Sequence, residues 1–175
     1  QSRNTRNSIV MGPWTHGSWA RGDGQKVGNI DFGAKTGEYF RNSIELPFFL
    51  HHLKDKQDVV IPKAHMFQTG VNQWRKHDTW PPPAAAPRRI YLRGRHGLSF
   101  DAPSEAGTVF DEYLSDPNRP VPYIGFIAMG MTRDYMTDDQ RFAGQRPDVL
   151  TYAMEALRQD MTFAGPIKVN LHVST

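Results

Sequence analysis

Apolar and polar positions along the chain fall into short blocks whose period keeps changing. Ser8 to Met11 is a brief apolar run closed by Gly12-Pro13, the pattern of a buried strand that ends in a sharp change of direction. From Thr15 to Lys35 no period survives, and Gly17, Gly22, Gly24, Gly28 and Gly33 interrupt the chain, so a long loop is expected. Loops of that length in compact domains are usually functional or disordered. Behind Thr36, which can cap a helix, Phe40, Ile44, Phe48 and Leu53 recur at close to helical spacing and predict a helix over 37–54. Pro47 lies inside it and predicts a kink near Ser43, because proline removes one hydrogen bond and crowds the carbonyl four residues back. Ala64 to Thr69, closed by Gly70, reads as another strand.

Trp80 is followed by Pro81-Pro82-Pro83-Ala84-Ala85-Ala86-Pro87, a stretch that resists helix and ladder pairing alike, and a domain boundary is expected there. Beyond it, 89–93, 108–114, 149–154 and 167–173 read as short strands between turn-rich segments, which predicts a β-sandwich or jelly roll. No repeat recurs at a fixed period. The chain begins without a methionine and stops inside the alternating run 167–173, so both ends are expected to lie within a longer sequence.

Composition narrows the functional classes. With 38% apolar, 11% aromatic and 22% charged residues the chain should hold a packed core. Its formal charge of +3, from 21 basic and 18 acidic side chains, is mostly scattered. Arg88-Arg89 and Arg93-Gly94-Arg95-His96 are too few, and lack a stacking ladder, so no nucleic-acid partner is expected. No apolar run approaches the roughly 20 residues of a membrane span, and no signal-peptide pattern opens the chain, so no membrane partner is expected. The absence of cysteine excludes a disulfide scaffold, a thiolate metal site and a cysteine nucleophile, and leaves the compartment open.

Several near-motifs carry no chemistry on inspection. Gly22-Asp23-Gly24 through Gly28 nearly spells a dinucleotide fingerprint, but its last glycine is one residue late and no strand-to-helix turn surrounds it. Asp31-Phe32-Gly33 imitates a kinase magnesium motif without its companions. His51 and His52 are adjacent, so on a helix they diverge and cannot share a metal as an i, i+4 pair would. Asp134, Asp138 and Asp139 lack the spacing of a calcium loop and read as solvated turn acids, so no metal and no cofactor are expected. Trp74 and Trp80 flank the connector and read as sealing one domain against the next, with a pocket wall as the alternative.

The remaining candidate is His16, in a loop behind the first predicted strand. A neutral imidazole there can take the proton of a hydroxyl nucleophile and return it to a leaving group. Alone, a histidine in a glycine-rich loop is more often structural. The segment Ile9-Val10-Met11-Gly12-Pro13-Trp14-Thr15-His16-Gly17 resembles the Gly-Pro-Trp-x-His element around the catalytic histidine of cocaine-esterase-like acyl esterases, α-amino-acid ester hydrolases and X-Pro dipeptidyl peptidases. Three further blocks fit that family in order. They are Thr69-Gly70-Val71-Asn72-Gln73-Trp74 through Asp78-Thr79-Trp80-Pro81, then Tyr113 to Pro122, then Asp139-Gln140-Arg141 with Arg146-Pro147-Asp148-Val149-Leu150-Thr151-Tyr152. The last block is most similar to the α-amino-acid ester hydrolase branch.

The resemblance implies the C-terminal portion of an α/β-hydrolase domain over 1–83, followed by the start of a jelly-roll β-sandwich over 84–175. It implies a serine hydrolase that cleaves esters, amides or X-Pro peptide bonds through an acyl-enzyme. In this family the serine and the acid of the triad precede the histidine, so His16 is the one catalytic residue carried over. Trp14 and Trp19, beside it, are candidates for the substrate wall. The implied partner is a small ester or acyl substrate, with a homo-oligomer left open for the whole protein and a bacterial periplasmic or secreted setting suggested. The alternative function is a non-catalytic jelly-roll module that binds carbohydrate or protein.

Overall fold

Parallel pairing of two distant strands organises the first part of the chain. A computed structural model describes residues 5–104, 110–130 and 132–174, and these divide into two units, 5–86 with 162–174 and 87–161. The first unit runs through β1 (Ile9–Met11), a small hairpin of β2 (Lys26–Val27) and β3 (Ile30–Asp31), helix α1 (Thr36–Phe40), a π-helical segment (Arg41–Glu45), helix α2 (Leu46–Lys54), and strands β4 (Ala64–Gln68) and β5 (Gln73–His77). β1 pairs in parallel with β4, which pairs antiparallel with β5. A parallel pair needs a long crossover, which residues 12–63 and their helices supply. The antiparallel pair needs only a tight turn, which Gly70 and Asn72 make at φ 88° and 53°.

Register sorts the side chains. Val10, His65, Phe67, Trp74 and Lys76 share one face, because Val10 lies opposite His65, His65 opposite Lys76, and Phe67 opposite Trp74. That face meets the helix and the hairpin: Trp74 stacks on Tyr39 at 5.3 Å, and Phe67 meets Phe32 edge-on at 5.7 Å. Val27, Phe32 and Phe67 are the buried centre, with Trp74 against them. Ile9 and Met11 lie on the other face and are exposed. β1 is therefore a half-covered edge strand of the three, and not the buried strand its apolar run predicts.

The helix forms where expected but differs in detail. Thr36 does not cap it. Lys35 occupies the cap position without a side-chain bond, and the carbonyl of Asp23 accepts the free N–H groups of Gly37 (2.8 Å) and Glu38 (3.3 Å) instead. The disruption expected near Ser43 is a widened π turn over Arg41–Glu45, which carries the chain past Pro47 without a break. Asp55 ends α2 in the left-handed conformation at φ 52°. The apolar side is covered only over its first half: Phe40 and Ile44 are half-buried, while Phe48 and Leu53 are exposed. A cavity of about 250 Å³ lies there, lined by Val10, Phe40, Ile44, Phe48 and Ile61 among others. His51 Nδ1–H donates to the Lys56 carbonyl at 2.7 Å, so this histidine closes the helix end locally.

In the second unit β6 (Tyr91–Arg93) and β7 (Gly97–Ser99) form an antiparallel hairpin whose turn holds Arg95 and His96 at φ 59°. Ala153 bridges to it, accepting from the Leu98 N–H at 2.7 Å and donating to His96 O at 2.9 Å. A single 3-10 turn (Asp134–Met136) and helix α3 (Arg141–Gly144) complete the regular structure described. Of the four expected strands, 89–93 forms as β6 and 149–154 contributes the one bridge. Residues 108 and 109 lie outside the described residues, and 110–114 joins no ladder among the described residues. Residues 167–173 alternate as a strand should, yet no strand among the described residues lies alongside, and Ile167 and Val173 stay exposed. The described residues of this unit hold one hairpin and one bridge, short of the sandwich that the spacing predicts.

Side-chain bonds tie its irregular segments. Arg146 makes a two-pronged pair with Asp148 (2.7 and 2.5 Å), donates to the Arg119 carbonyl at 2.9 Å, and holds the Asp148 carboxyl below its usual range. The Tyr152 hydroxyl donates to Asp111 at 2.7 Å, which raises the tyrosine above its usual range. Asp134, Asp138 and Asp139 are engaged by Thr132, by the Gly125 N–H and by Arg141.

His65 is 2% exposed, with Trp74 and Tyr39 edge-on at 5.1 and 5.8 Å and its Nε2 unpartnered. Burial, reinforced by Lys76 across the ladder, lowers its pKa from 6.5 to about 4. Between those values the unfolded chain binds a proton that the folded chain refuses, so stability is full above pH 6.5 and falls as pH drops toward 4. The expected loss is about 3 kcal/mol, at 1.36 kcal/mol per pH unit. Urea unfolding at both ends of that window, on the parent and on His65→Leu, checks it: the leucine variant should lack this component, and equal acid sensitivity would refute it.

Candidate functional site

His16 lies five residues past the end of β1, on the side where the strand's carboxyl end opens into loop. Sites in α/β sheets gather outside the carboxyl ends of parallel strands, because loops there are free to vary while the strands stay fixed. The local turn is tight. The Trp14 N–H donates to Gly12 O at 3.0 Å, and Ser18 reaches Thr15 O with both its N–H (3.0 Å) and its hydroxyl (2.9 Å). Thr15 is buried, whereas the next side chain, His16, is exposed. Its ring stands edge-on to Trp19 at 6.1 Å and has no hydrogen bond among the described residues.

The two tryptophans named with it separate. Trp19 is beside the imidazole. Trp14 turns inward, with Phe40 at 5.1 Å, Trp74 at 5.7 Å and Trp19 at 6.2 Å from its ring centre. Its Nε1–H donates to Thr36 Oγ1 at 2.8 Å, and the Thr36 hydroxyl donates to Gly24 O at 2.6 Å. Further along the loop, Arg41 Nη1 donates to the Trp19 carbonyl at 2.8 Å. The start of the helix therefore grips the loop at Trp14, Trp19, Asp23 and Gly24, and His16 lies between the first two grips.

Two glycines are required by this packing. A Cβ on Gly12 would lie 2.4 Å from the Trp14 ring, which folds back over it. One on Gly24, at φ 72°, would lie 2.5 Å from the Gly37 nitrogen and 2.8 Å from Thr36 Oγ1.

Trp74, read as a seal at the connector, is instead a central member of the β5 aromatic face and the backing for Trp14. Trp80 is exposed, 5.4 Å from His77. Reasoning from sequence missed Thr36 as the meeting point of the loop, missed Arg41, and missed the burial of His65. The hairpin β2–β3 also went unread, although Val27-Gly28-Asn29-Ile30 carries a two-residue hairpin turn. Among the described residues no group of three or more acidic or histidine side chains is arranged for a metal.

Residues 58–175 match the model of the X-Pro dipeptidyl-peptidase C-terminal non-catalytic domain. The chain belongs to the cocaine-esterase-like and X-Pro dipeptidyl-peptidase family. It is 30% identical over 176 residues to the cocaine esterase of Rhodococcus sp. (strain MB1 Bresler), covering 95% of this chain and 30% of that protein. It is 33% identical over 111 residues to a putative serine esterase of Mycobacterium bovis (strain ATCC BAA-935 / AF2122/97), covering 62% of this chain and 16% of that protein. Among solved structures it is similar to an α-amino-acid ester hydrolase (TM-score 0.81, 35% identity, 93% of this chain and 28% of that one). It is also similar to an aminopeptidase from a marine-sediment Thaumarchaeota archaeon (TM-score 0.79, 36% identity, 87% and 26%). The chain thus spans less than a third of the length of each of these relatives. These neighbours are proteins of the α/β-hydrolase family, and the matched domain is a C-terminal non-catalytic β domain. The matched domain starts at residue 58, beyond His16 and its loop.

Gly24→Ala is expected to destabilise the folded protein by at least about 2 kcal/mol, since the new methyl group meets backbone in a conformation that L-residues avoid. Chemical denaturation measures it. An unchanged midpoint would show that the loop relaxes away from α1.

Proposed function

We propose that this chain supplies the general base of a serine hydrolase that cleaves esters or amides through an acyl-enzyme, with α-amino-acid esters as the nearest substrate class. The observation that carries the proposal is His16, an exposed imidazole with no hydrogen bond among the described residues, on a turn gripped from both sides at the carboxyl end of a strand of a parallel pair. A base of this kind must have one ring nitrogen free for the nucleophile and the other for an orienting acid. His16 takes the proton of the serine hydroxyl as it attacks the carbonyl carbon, and returns it to the leaving alcohol or amine. In the second half it takes a proton from the attacking water and returns it to the serine oxygen as the tetrahedral intermediate collapses to free acid and serine. Trp19 forms one wall beside the imidazole, and Trp14 supports that wall from behind.

The similarity to esterases, an α-amino-acid ester hydrolase and an aminopeptidase supports this reading. The reading puts the serine and the acid in the remainder of the protein: the 175 residues contain no Gly-x-Ser-x-Gly elbow, and in the chain order of this family the acid precedes the histidine, whereas residues 1–15 hold no Asp or Glu. A second reading, a non-catalytic binding module, draws on the description of the matched domain, which leaves out the His16 loop.

In the whole protein His16→Ala is expected to lower kcat/KM toward a phenylglycine ester on the order of a thousandfold or more, with its thermal transition retained. Parental turnover would remove His16 from the mechanism. The 175-residue chain by itself is expected to hydrolyse no ester above buffer, since a histidine without a nucleophile and an oxyanion hole has nothing to activate. A burst of phenylglycine release from the purified chain would overturn that expectation.

A further inference from the structure

Thr36 is 1% exposed, and its hydroxyl is used in both directions, accepting from Trp14 Nε1–H at 2.8 Å and donating to Gly24 O at 2.6 Å. These partners lie 22 and 12 residues upstream, at the two ends of the loop that carries His16. Thr36 leads α1, whose next two N–H groups bind the Asp23 carbonyl, so the loop's far end is held to the same helix turn that carries the hydroxyl. Ring packing alone leaves Trp14 free to slide, since aromatic pairs are favourable over centroid separations of roughly 4.5–7 Å. A hydrogen bond is directional and weakens steeply when misaligned. The Thr36 hydroxyl therefore sets the rotation of the Trp14 indole in its aromatic slot, and Trp14 sets the start of the turn that presents His16 two residues later.

We infer that Thr36 is a positioning residue for the proposed base: the Trp14–Thr36–Gly24 hydrogen-bond chain fixes where the His16 imidazole meets the reacting hydroxyl. The inference rests on His16 being that base. Thr36 itself touches no substrate. A misplacement of about 1 Å at a reacting group costs on the order of a hundredfold in rate. Loss of the hydroxyl should therefore appear in kcat and not in KM.

The experiment compares Thr36→Val, which keeps the shape and removes both bonds, with Thr36→Ser, which keeps both, in the whole protein, with His16→Ala assayed alongside. Thr36→Val is expected to lower kcat about 10- to 100-fold with KM within about twofold, and Thr36→Ser to stay within about threefold of the parent. In 5-fluorotryptophan-labelled protein the Trp14 fluorine resonance, assigned with Trp14→Phe, should move in Thr36→Val and stay at the parental position in Thr36→Ser. Parental kcat in Thr36→Val, or equal loss in both variants, overturns the positioning role, as does a fall in kcat with the Trp14 resonance unmoved. If Thr36→Val does not fold, benzothienylalanine at position 14 removes only the indole N–H. It should give the same selective loss of kcat, and parental kcat there overturns the inference. An active His16→Ala shows instead that the base assignment is wrong, and the inference falls with it.

Discussion

A buried hydroxyl on the first turn of a helix holds together elements that local preference would leave apart. The loop over 12–25, between β1 and β2, is glycine-rich and irregular, so its conformation depends on what receives its polar groups. Thr36 takes the Trp14 indole and the Gly24 carbonyl, the helix N–H groups take the Asp23 carbonyl, and Arg41 takes the Trp19 carbonyl. A helix start has free N–H groups that need acceptors, and this one finds them in the loop. The same contacts satisfy the helix and shape the loop. Leaving either side unpaired would strand buried polar groups, at about 1–3 kcal/mol each.

Beneath this arrangement lies the aromatic face of the small sheet. Trp74 touches Trp14, Tyr39, His65 and Phe67, so one side chain from β5 connects the His16 loop, the helix and the central strand. His65 occupies that centre as a neutral ring, which suits a packing role and makes it sensitive to acid. The π turn before Pro47 has a related effect. It lets the chain continue through a residue that cannot donate, so that α1 and α2 stay joined while Phe40 remains against Trp14.

What could be read from sequence was the contiguous part. Gly-Pro-Trp-x-His is a local string, and the helix and β4 declare themselves through spacing that neighbours alone determine. Thr36 was legible as a helix-start residue but misread as its cap, because its use of partners 12 and 22 residues away leaves no trace in the flanking sequence. His65 left a trace, since a histidine set between Ala64, Met66 and Phe67 in a strand has little chance of water. The alternation over 167–173 is real and still forms no ladder among the described residues. Alternation reports which side a strand would bury, while pairing depends on a neighbour that the pattern does not contain.

The matched domain begins at residue 58 and is described as non-catalytic, yet its boundary runs through a single sheet. β4 and β5 lie inside the match, whereas β1 and the His16 loop lie before it. Val10 pairs with His65 across that line, and Trp14 packs on Trp74 across it. A residue that touches no substrate can still determine where a catalytic loop begins, because the loop inherits the position of the strand it leaves and of the ring it packs on. Through these contacts the matched part supports the proposed site mechanically. Its first two strands are the surface against which the His16 turn is held, and substitutions there that spare Trp74 and the β1–β4 register should be felt least at the imidazole.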